Sequence, residues 1–250
     1  MKNILITGAT SGIGEATARK LAEEGNNLIL CGRNSNKLDD LANEFAYLSK
    51  IKTLSFDVRN RADTYENINS ALNSFQEIDV LINNAGNAHG LESIYEGNEE
   101  DWDKMMDINV KGLLNVSKAV IPSMVKNQAG HIINVGSLAG YEVYANGTAY
   151  CASKYAVKAI NEGLRKELNG FNIKVSSINP GLVETNFSNV RFKGDTEKAK
   201  AVYKGYTPLK PQDIANTISF MINQPEHVNL AEVMILPTAQ ASSTQVKKEL

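Results

Sequence analysis

The sequence predicts a single α/β domain, a doubly wound parallel sheet with helices on both faces. Short apolar runs alternate with helical patterns along the 250 residues, the order that gives strand–helix–strand units and a parallel sheet. The first apolar run leads directly into a glycine-rich turn and a helix. Each polar cluster with chemistry in it falls at the carboxyl end of an apolar run, where open parallel sheets bind ligands.

In chain order, Lys2 to Thr7 reads as a short buried strand. Gly8-Ala-Thr-Ser-Gly12-Ile-Gly14 follows, then a helix over 15–24 that Gly25 ends. Strand, glycine turn and helix make a phosphate cradle. Its glycines permit a tight turn, close backbone approach to a pyrophosphate and close helix packing, while free N–H groups of the first helical turn face the anion. The spacing G-x-x-x-G-x-G departs from the more familiar G-x-G-x-x-G. A second strand over 27–31 ends at Gly32-Arg33-Asn34. An acid here would bind the ribose hydroxyls of NAD, whereas an arginine accommodates the 2′-phosphate of NADP. Glycine stands in the acid's place and Arg33 follows, which favours NADP.

A helix over 36–48 and a third strand over 51–56 come next. Asp57, at the end of that strand, has two open readings: an acceptor for an adenine amino group, or a cap for the helix beginning near Arg61. The fourth strand, 79–82, runs into Asn83-Asn84-Ala85-Gly86, small and amide side chains that suit a backbone passing close to a cofactor. A long helical pattern from Glu99 to Lys126 holds Asn109 and Gly112 near its middle. Both are locally unfavourable there, and such inconsistencies mark functional or strained positions. The fifth strand, 130–135, leads to Gly136-Ser137, and a loop over 138–147 with Tyr141, Glu142, Tyr144 and Asn146 joins it to the next helix. A sixth strand over 172–178 ends in Asn179-Pro180-Gly181-Leu182-Val183-Glu184-Thr185. Residues 186–206 are polar and mixed, the pattern of a mobile lid over the site. A helix over 211–223 and a strand over 233–236 finish the domain, with no repeat or interdomain linker.

With 26 basic and 28 acidic residues the formal charge is −2, and no run of like charges appears. That balance argues against nucleic acid or an anionic membrane as partner and suits a small polar substrate. The opening apolar run is too short for a signal peptide and no eighteen-residue apolar stretch occurs, so a cytoplasmic location is expected. The closing Lys-Lys-Glu-Leu resembles a retention signal that has no meaning without entry to the secretory path. Cys31 and Cys151 are read as reduced, packed thiols. His89, His131 and His227 lie in separate elements without metal-ligand spacing, and no metal is expected. His89 follows the Asn-Asn-Ala-Gly loop, and its place relative to the pocket stays open.

The chemistry centres on Tyr150-Cys-Ala-Ser-Lys154. Four residues apart on a helix, a phenol and an ammonium share one face. An ammonium nearby favours phenolate, the shift that acid–base work near neutral pH requires of a phenol. Ser137, arriving from a strand end, can hold a substrate oxygen beside it.

Taken together, Thr7-Gly8-x-x-x-Gly12-Ile13-Gly14, Asp57, Asn83-Asn84-Ala85-Gly86, Asn109, Ser137, Tyr150-x-x-x-Lys154 and Pro180-Gly181 resemble the classical short-chain dehydrogenase/reductase family over nearly the whole chain. The resemblance implies a Rossmann-type sheet of about seven parallel strands and a homo-oligomer, either tetramer or dimer. It implies a catalytic set in which Tyr150 donates or accepts the proton and Ser137 holds the carbonyl oxygen. In that set Lys154 binds the nicotinamide ribose and lowers the Tyr150 pKa, and Asn109 holds a water in a proton relay. It also implies a cofactor surface made by Gly8, Ser11, Gly12, Ile13, Gly14, Arg33, Asp57, Val58, Asn84, Ala85, Gly86, Tyr150, Lys154, Pro180, Gly181, Val183 and Thr185.

A narrower likeness rests on Gly181 to Asp195, Glu100-Asp-Trp102 and Pro237-Thr-x-Gln-Ala-Ser242. These segments look like the NADP-dependent 3-hydroxy acid dehydrogenases, a group that includes serine and L-allo-threonine dehydrogenases. The resemblance implies oxidation of a short hydroxy acid such as serine, L-allo-threonine or 3-hydroxypropionate. Ser137, Tyr144, Tyr150 and Arg191 are the expected substrate contacts, with Arg191 offering a bidentate grip on a carboxylate and Lys193 a weaker one. The same machinery suits another carbonyl class: a ketone, a sugar or a 3-oxoacyl ester. A protein that only senses NADP would be expected to lack Tyr150 or Lys154, and both are present.

Overall fold

The computed structural model describes residues 1–249; Leu250, which closes the Lys-Lys-Glu-Leu ending, lies outside the described residues. Ile4, Leu5 and Ile6 fill β1 (Asn3–Thr7) and are all fully buried. Successive strand side chains point to opposite faces, so a run buried at every position needs cover on both. The chain supplies that cover by alternating its elements. After β1 come α1 (Gly12–Glu23), β2 (Asn27–Gly32), α2 (Ser35–Phe45), β3 (Ile51–Ser55), α3 (Arg61–Phe75) and β4 (Val80–Asn83). Then follow α4 (Glu99–Met106), α5 (Leu113–Asn127), β5 (Gly130–Val135), α6 (Thr148–Leu168) and β6 (Ile173–Pro180). The short helices α7 (Phe187–Arg191) and α8 (Thr196–Ala201), then α9 (Pro211–Ile222) and β7 (Glu232–Ile235), complete the order.

The 7-stranded sheet runs β3-β2-β1-β4-β5-β6-β7, with every neighbouring pair parallel. Ile4, Ile6, Leu28 and Leu30 join Leu21, Leu38, Ile214 and Ile218 in a core under α1, α2 and α9. Leu5 and Ile29 point the other way and pack with Ile68, Val116, Val120 and Leu168 under α3, α5 and α6. Each such fully buried aliphatic side chain stabilises the fold by about 2 kcal/mol. The order of strands reverses between β1 and β4, and the crevice at that reversal is where doubly wound sheets bind ligands.

Three local expectations need correction. The pattern over 99–126 is not one α-helix: a π turn, Asp107–Gly112, interrupts it between α4 and α5. The first helix begins at Gly12 rather than Glu15, because Ser11 already takes the extended N-cap conformation. Asp57 does not cap α3; the Asn60 side chain does, accepting from Asp63 N at 3.3 Å. On α6 the small residues Ala152 and Ala159 are exposed and a methyl on Gly163 would touch nothing within 4 Å, so this stripe faces away from the sheet.

Candidate active site

The loops at the carboxyl ends of β1, β2, β3, β4, β5 and β6 enclose one cavity of about 700 Å³. At its floor the glycine turn is locked to the Asn-Asn-Ala-Gly loop. The Thr7 hydroxyl accepts from the backbone N–H of Asn84 and Ala85, both at 3.0 Å, while Asn84 Nδ2 donates to the carbonyls of Thr7 and Gly8. Gly8 takes the left-handed conformation at φ +66°, and a Cβ on Gly14 would stand 2.2 Å from Gly8 O. Only glycine lets α1 start this close to the turn. Ser11 makes no side-chain cap, so the first N–H groups of α1 are left to whatever enters the cavity.

Toward β2, Gly32 is fixed by packing, since a Cβ there would lie 2.7 Å from Thr10 Cγ2. Arg33 extends beside it with 66% of its side chain exposed, 4.0 Å from Asp57. Asp57 takes a bidentate grip from Arg59, which holds its carboxyl below the usual carboxylate range.

At the other end, Ser137 and Tyr150 face one another across the cavity wall. Ser137 Oγ accepts from Ala139 N at 3.1 Å, which fixes its rotamer. Burial pushes the Tyr150 phenol above its ordinary value, assisted by neighbouring Tyr144; the Ser137 hydrogen bond and the Arg191 charge pull the other way. Lys154 Nζ stands 6.0 Å from the Tyr150 ring centroid and donates to Val135 O at 3.0 Å. Burial pulls its own pKa down to about 8. Burial is thus the largest influence on both groups in the chain alone.

Arg191, on α7, lies 5.5 Å from the ring centroids of both Tyr144 and Tyr150. Its Nε donates to Gly90 O at 3.1 Å, and its Nη2 is buried with no hydrogen-bond partner among the described residues. Phe187 from the same helix packs edge-on against Tyr150, with centroids 5.7 Å apart. Lys193 is not available to the cavity, because it pairs at 2.7 Å with the buried carboxylate of Asp101.

Besides Lys193, the expected catalytic, cofactor and substrate residues that do not line the cavity are Gly14 and Asn109. Gly14 acts through packing. Asn109 sits in the π turn, where its Nδ2 donates to Asn87 O and Ser153 Oγ and its Oδ1 accepts from Asn87 N. A methyl on Gly86 would stand 3.1 Å from Asn109 Oδ1 and 3.6 Å from Lys154 Nζ, so that glycine keeps open the gap between them. His89 lies outside the main cavity, in a small one of about 20 Å³ that also touches Tyr150 and Arg191. Sequence reasoning missed Phe187, Tyr203 and Gln240 as lining residues. Aromatic residues within the otherwise polar 186–206 were the available signal for the first two.

The family model for short chain dehydrogenases matches residues 2–196. An NADP-dependent 3-hydroxy acid dehydrogenase of Salmonella typhi is 44% identical over 239 residues, 95% of this chain and 96% of that one. Its counterpart in Schizosaccharomyces pombe is 39% identical, covering 99% of this chain and 97% of its own. A solved structure of serine dehydrogenase, in a closed form complexed with NADP+, superposes with a TM-score of 0.92 at 39% identity, covering 99% of this chain and all of that one. The matched segment carries the glycine turn, Ser137, Tyr150 and Lys154 in one sheet-end cavity, and this chain belongs to the short-chain dehydrogenase family.

Proposed function

We propose that the protein transfers hydride between NADP(H) and the 3-hydroxyl or 3-oxo carbon of a short hydroxy acid. The observation that carries the substrate class is the buried, unpartnered Nη2 of Arg191 beside Tyr150. A buried donor without an acceptor costs about 1–3 kcal/mol, more when charged, and a carboxylate supplies the missing acceptor in the geometry a guanidinium prefers. The names of the relatives point the same way.

The residues present fit NADP. The uncapped start of α1 opens onto the cavity with Gly8, Ser11, Gly12 and Ile13 around it, the arrangement that receives a pyrophosphate. Arg33 is free to reach a 2′-phosphate, while Asp57 and Val58 border the adenine end. Asn84, Ala85 and Gly86 run along the middle; Lys154, Pro180, Gly181, Val183 and Thr185 surround the nicotinamide end. NADP supplies the hydride acceptor or donor.

The chain's own groups handle the oxygen and the proton. Ser137 donates to the substrate oxygen, and Tyr150 takes the hydroxyl proton as phenolate in oxidation and returns it as phenol in reduction. Lys154 passes the proton on through a water held at Asn109. Residues 186–206 act as the lid, fastened by the Lys193–Asp101 pair, and the working form is a homo-oligomer.

Arg191→Ala is expected to raise the KM for serine or 3-hydroxypropionate about tenfold or more while the KM for NADP+ holds, since a charge-assisted contact is worth about 1.5–3 kcal/mol. An unchanged KM for the acid removes the carboxylate assignment. A panel of alcohols and ketones run with NADP and NAD tests substrate class and cofactor together, and a preference for uncharged ketones would overturn the hydroxy-acid reading.

A further inference from the structure

Two elements bring the reacting groups together. Ser137 stands just beyond β5, whereas Tyr150 and Lys154 project from α6. The row of the sheet nearest them is polar where the pattern below it is aliphatic. Leu81, Ile132 and Val175 are register partners on the face covered by α5 and α6, all fully buried. At the next position on that face of the same three strands stand Asn83, Asn134 and Ser177, none more than 4% exposed. The amides form a chain across the sheet. Asn83 Nδ2 donates to Ser117 Oγ of α5 at 3.0 Å and to Asn134 Oδ1 at 2.9 Å. Asn134 Nδ2 donates in turn to Asn161 Oδ1 of α6 at 2.9 Å. Asn161 follows Tyr150, Lys154 and Val157 on the buried stripe of that helix. Its bond to Asn134 therefore joins the strand that leads to Ser137 with the helix that carries the phenol and the ammonium.

We propose that Asn134 and Asn161 are positioning residues for hydride transfer: their bond sets how α6 lies against β5, and so where Tyr150 and Lys154 stand relative to Ser137. This rests on the roles given above to those three side chains. Stability is a poor explanation for the amide chain. Its two ends, Asn83 Oδ1 and Asn161 Nδ2, are buried with no hydrogen-bond partner among the described residues. Unmade bonds on buried amides cost stability, and a half-satisfied network is worse than an apolar core. What the chain of amides supplies is direction. Aliphatic packing is non-directional, whereas a hydrogen bond weakens steeply away from its preferred distance and angle. The next residue of β5 gives a second point of attachment, since Val135 O accepts from Lys154 Nζ at 3.0 Å. With α6 held at both points, its catalytic end can neither slide nor roll without breaking a bond. Such precision bears on rate, because a misplacement of about 1 Å costs about a hundredfold.

The test is the double variant Asn134→Leu, Asn161→Leu of the full-length protein, assayed on the best alcohol of the panel above. Both amides go, and Asn83 Nδ2 keeps Ser117, so no new unpaired donor is left. The urea midpoint is expected to equal or exceed that of the wild type, while kcat falls about ten- to a hundredfold with the KM for NADP+ held. The same alcohol, deuterated at the carbon that yields hydride, should then show a larger isotope effect on kcat than in the wild type, because the chemical step has slowed. Asn161→Asp keeps the oxygen that Asn134 bonds and is expected to recover most of kcat at neutral pH; a loss as deep as that of the double variant overturns the proposal. A wild-type kcat in the double variant overturns it too, as does a kcat that falls only in step with the urea midpoint and leaves the isotope effect unchanged. Should the double variant not fold, Asn161→Ala is read by kcat and isotope effect with the same outcomes. Tyr150→Phe checks the roles underneath. Full activity there fails those roles and the positioning with them, whereas an inactive Tyr150→Phe beside a fully active double variant fails the positioning alone.

Discussion

Tyr150 sits among groups that push its phenol in opposite directions. Burial raises it and Tyr144 adds to that, whereas Ser137 and the Arg191 charge oppose them. The other groups facing it are Lys154 on its own helix, tied to Val135 O, and Cys151, buried in the same small core. Arg191 therefore has a second consequence besides gripping a carboxylate: its charge favours phenolate, the form that accepts the proton in oxidation. Removing it should move the acid limb of kcat/KM for the hydroxy acid, which at saturating NADP+ reports the complex of enzyme and NADP+ before the acid binds, to higher pH. For Arg191→Met with saturating NADP+ the expected displacement is about half to one pH unit upward. If the limb stays where it is in the wild type, Arg191 acts on the substrate alone. The residue scale was also where sequence reasoning was least complete. Tyr150, Ser137 and Lys154 were legible from spacing, but the upward push of burial on the phenol depends on how deeply the helix is covered, which no spacing reports. Lys193, the weaker choice beside Arg191, is taken by Asp101, a partner some ninety residues earlier in the chain that no local pattern reveals.

At the scale of single elements, β5 and β6 carry a pH-sensitive contact far from the chemistry. His131, near the start of β5, pairs through Nε2 with Ser176 Oγ at 2.8 Å, and that hydroxyl donates to Asn229 Oδ1. Burial, with Lys174 and Lys2 nearby, pulls the imidazole pKa down from 6.5 to about 3. Between those values the unfolded chain binds a proton that the folded chain does not, so this group's stabilising effect is present above 6.5 and is lost as pH falls toward 3. From pH 7 to pH 5 the loss amounts to about 2 kcal/mol. Urea unfolding at both pH values should show that difference shrinking by about this amount in His131→Gln, compared with the wild type. An identical pH dependence in the variant would mean that His131 is not held neutral. The π turn shows how far an element could be read in advance. Asn109 and Gly112 flagged the middle of the long helix as irregular, and that is where the ladder breaks. What form the break takes depends on Asn87 and Ser153, which meet the Asn109 amide only after folding.

Over the whole molecule, the fold was legible because apolar runs such as Ile4 to Ile6 and Leu28 to Leu30 are buried on both faces, a pattern that parallel sheets alone require at such length. The tail from 237 onward was not, because Gln240 and Ser243 are polar residues whose partners, Leu182 and Glu142, lie 58 and 101 positions away. One surface remains to be matched with a role. Along α6, Ala152, Ala156, Ala159 and Gly163 recur at helical spacing on the side turned from the sheet, with exposed Tyr155 beside them and exposed Met106 at the end of α4, which packs against α6. Small side chains let two helix backbones approach to about 8 Å, and a twofold axis placed across such a stripe satisfies both copies with the same residues. The proposed homo-oligomer is therefore expected to pack on this face. Gly163→Glu adds a charge where a side chain meets nothing within 4 Å in the single chain, so the fold tolerates it. Two charges brought together across the axis would not be tolerated. Light scattering should show the wild type as a dimer or tetramer and Gly163→Glu as a smaller species with the same circular dichroism; equal masses for the two would place the subunit contact elsewhere.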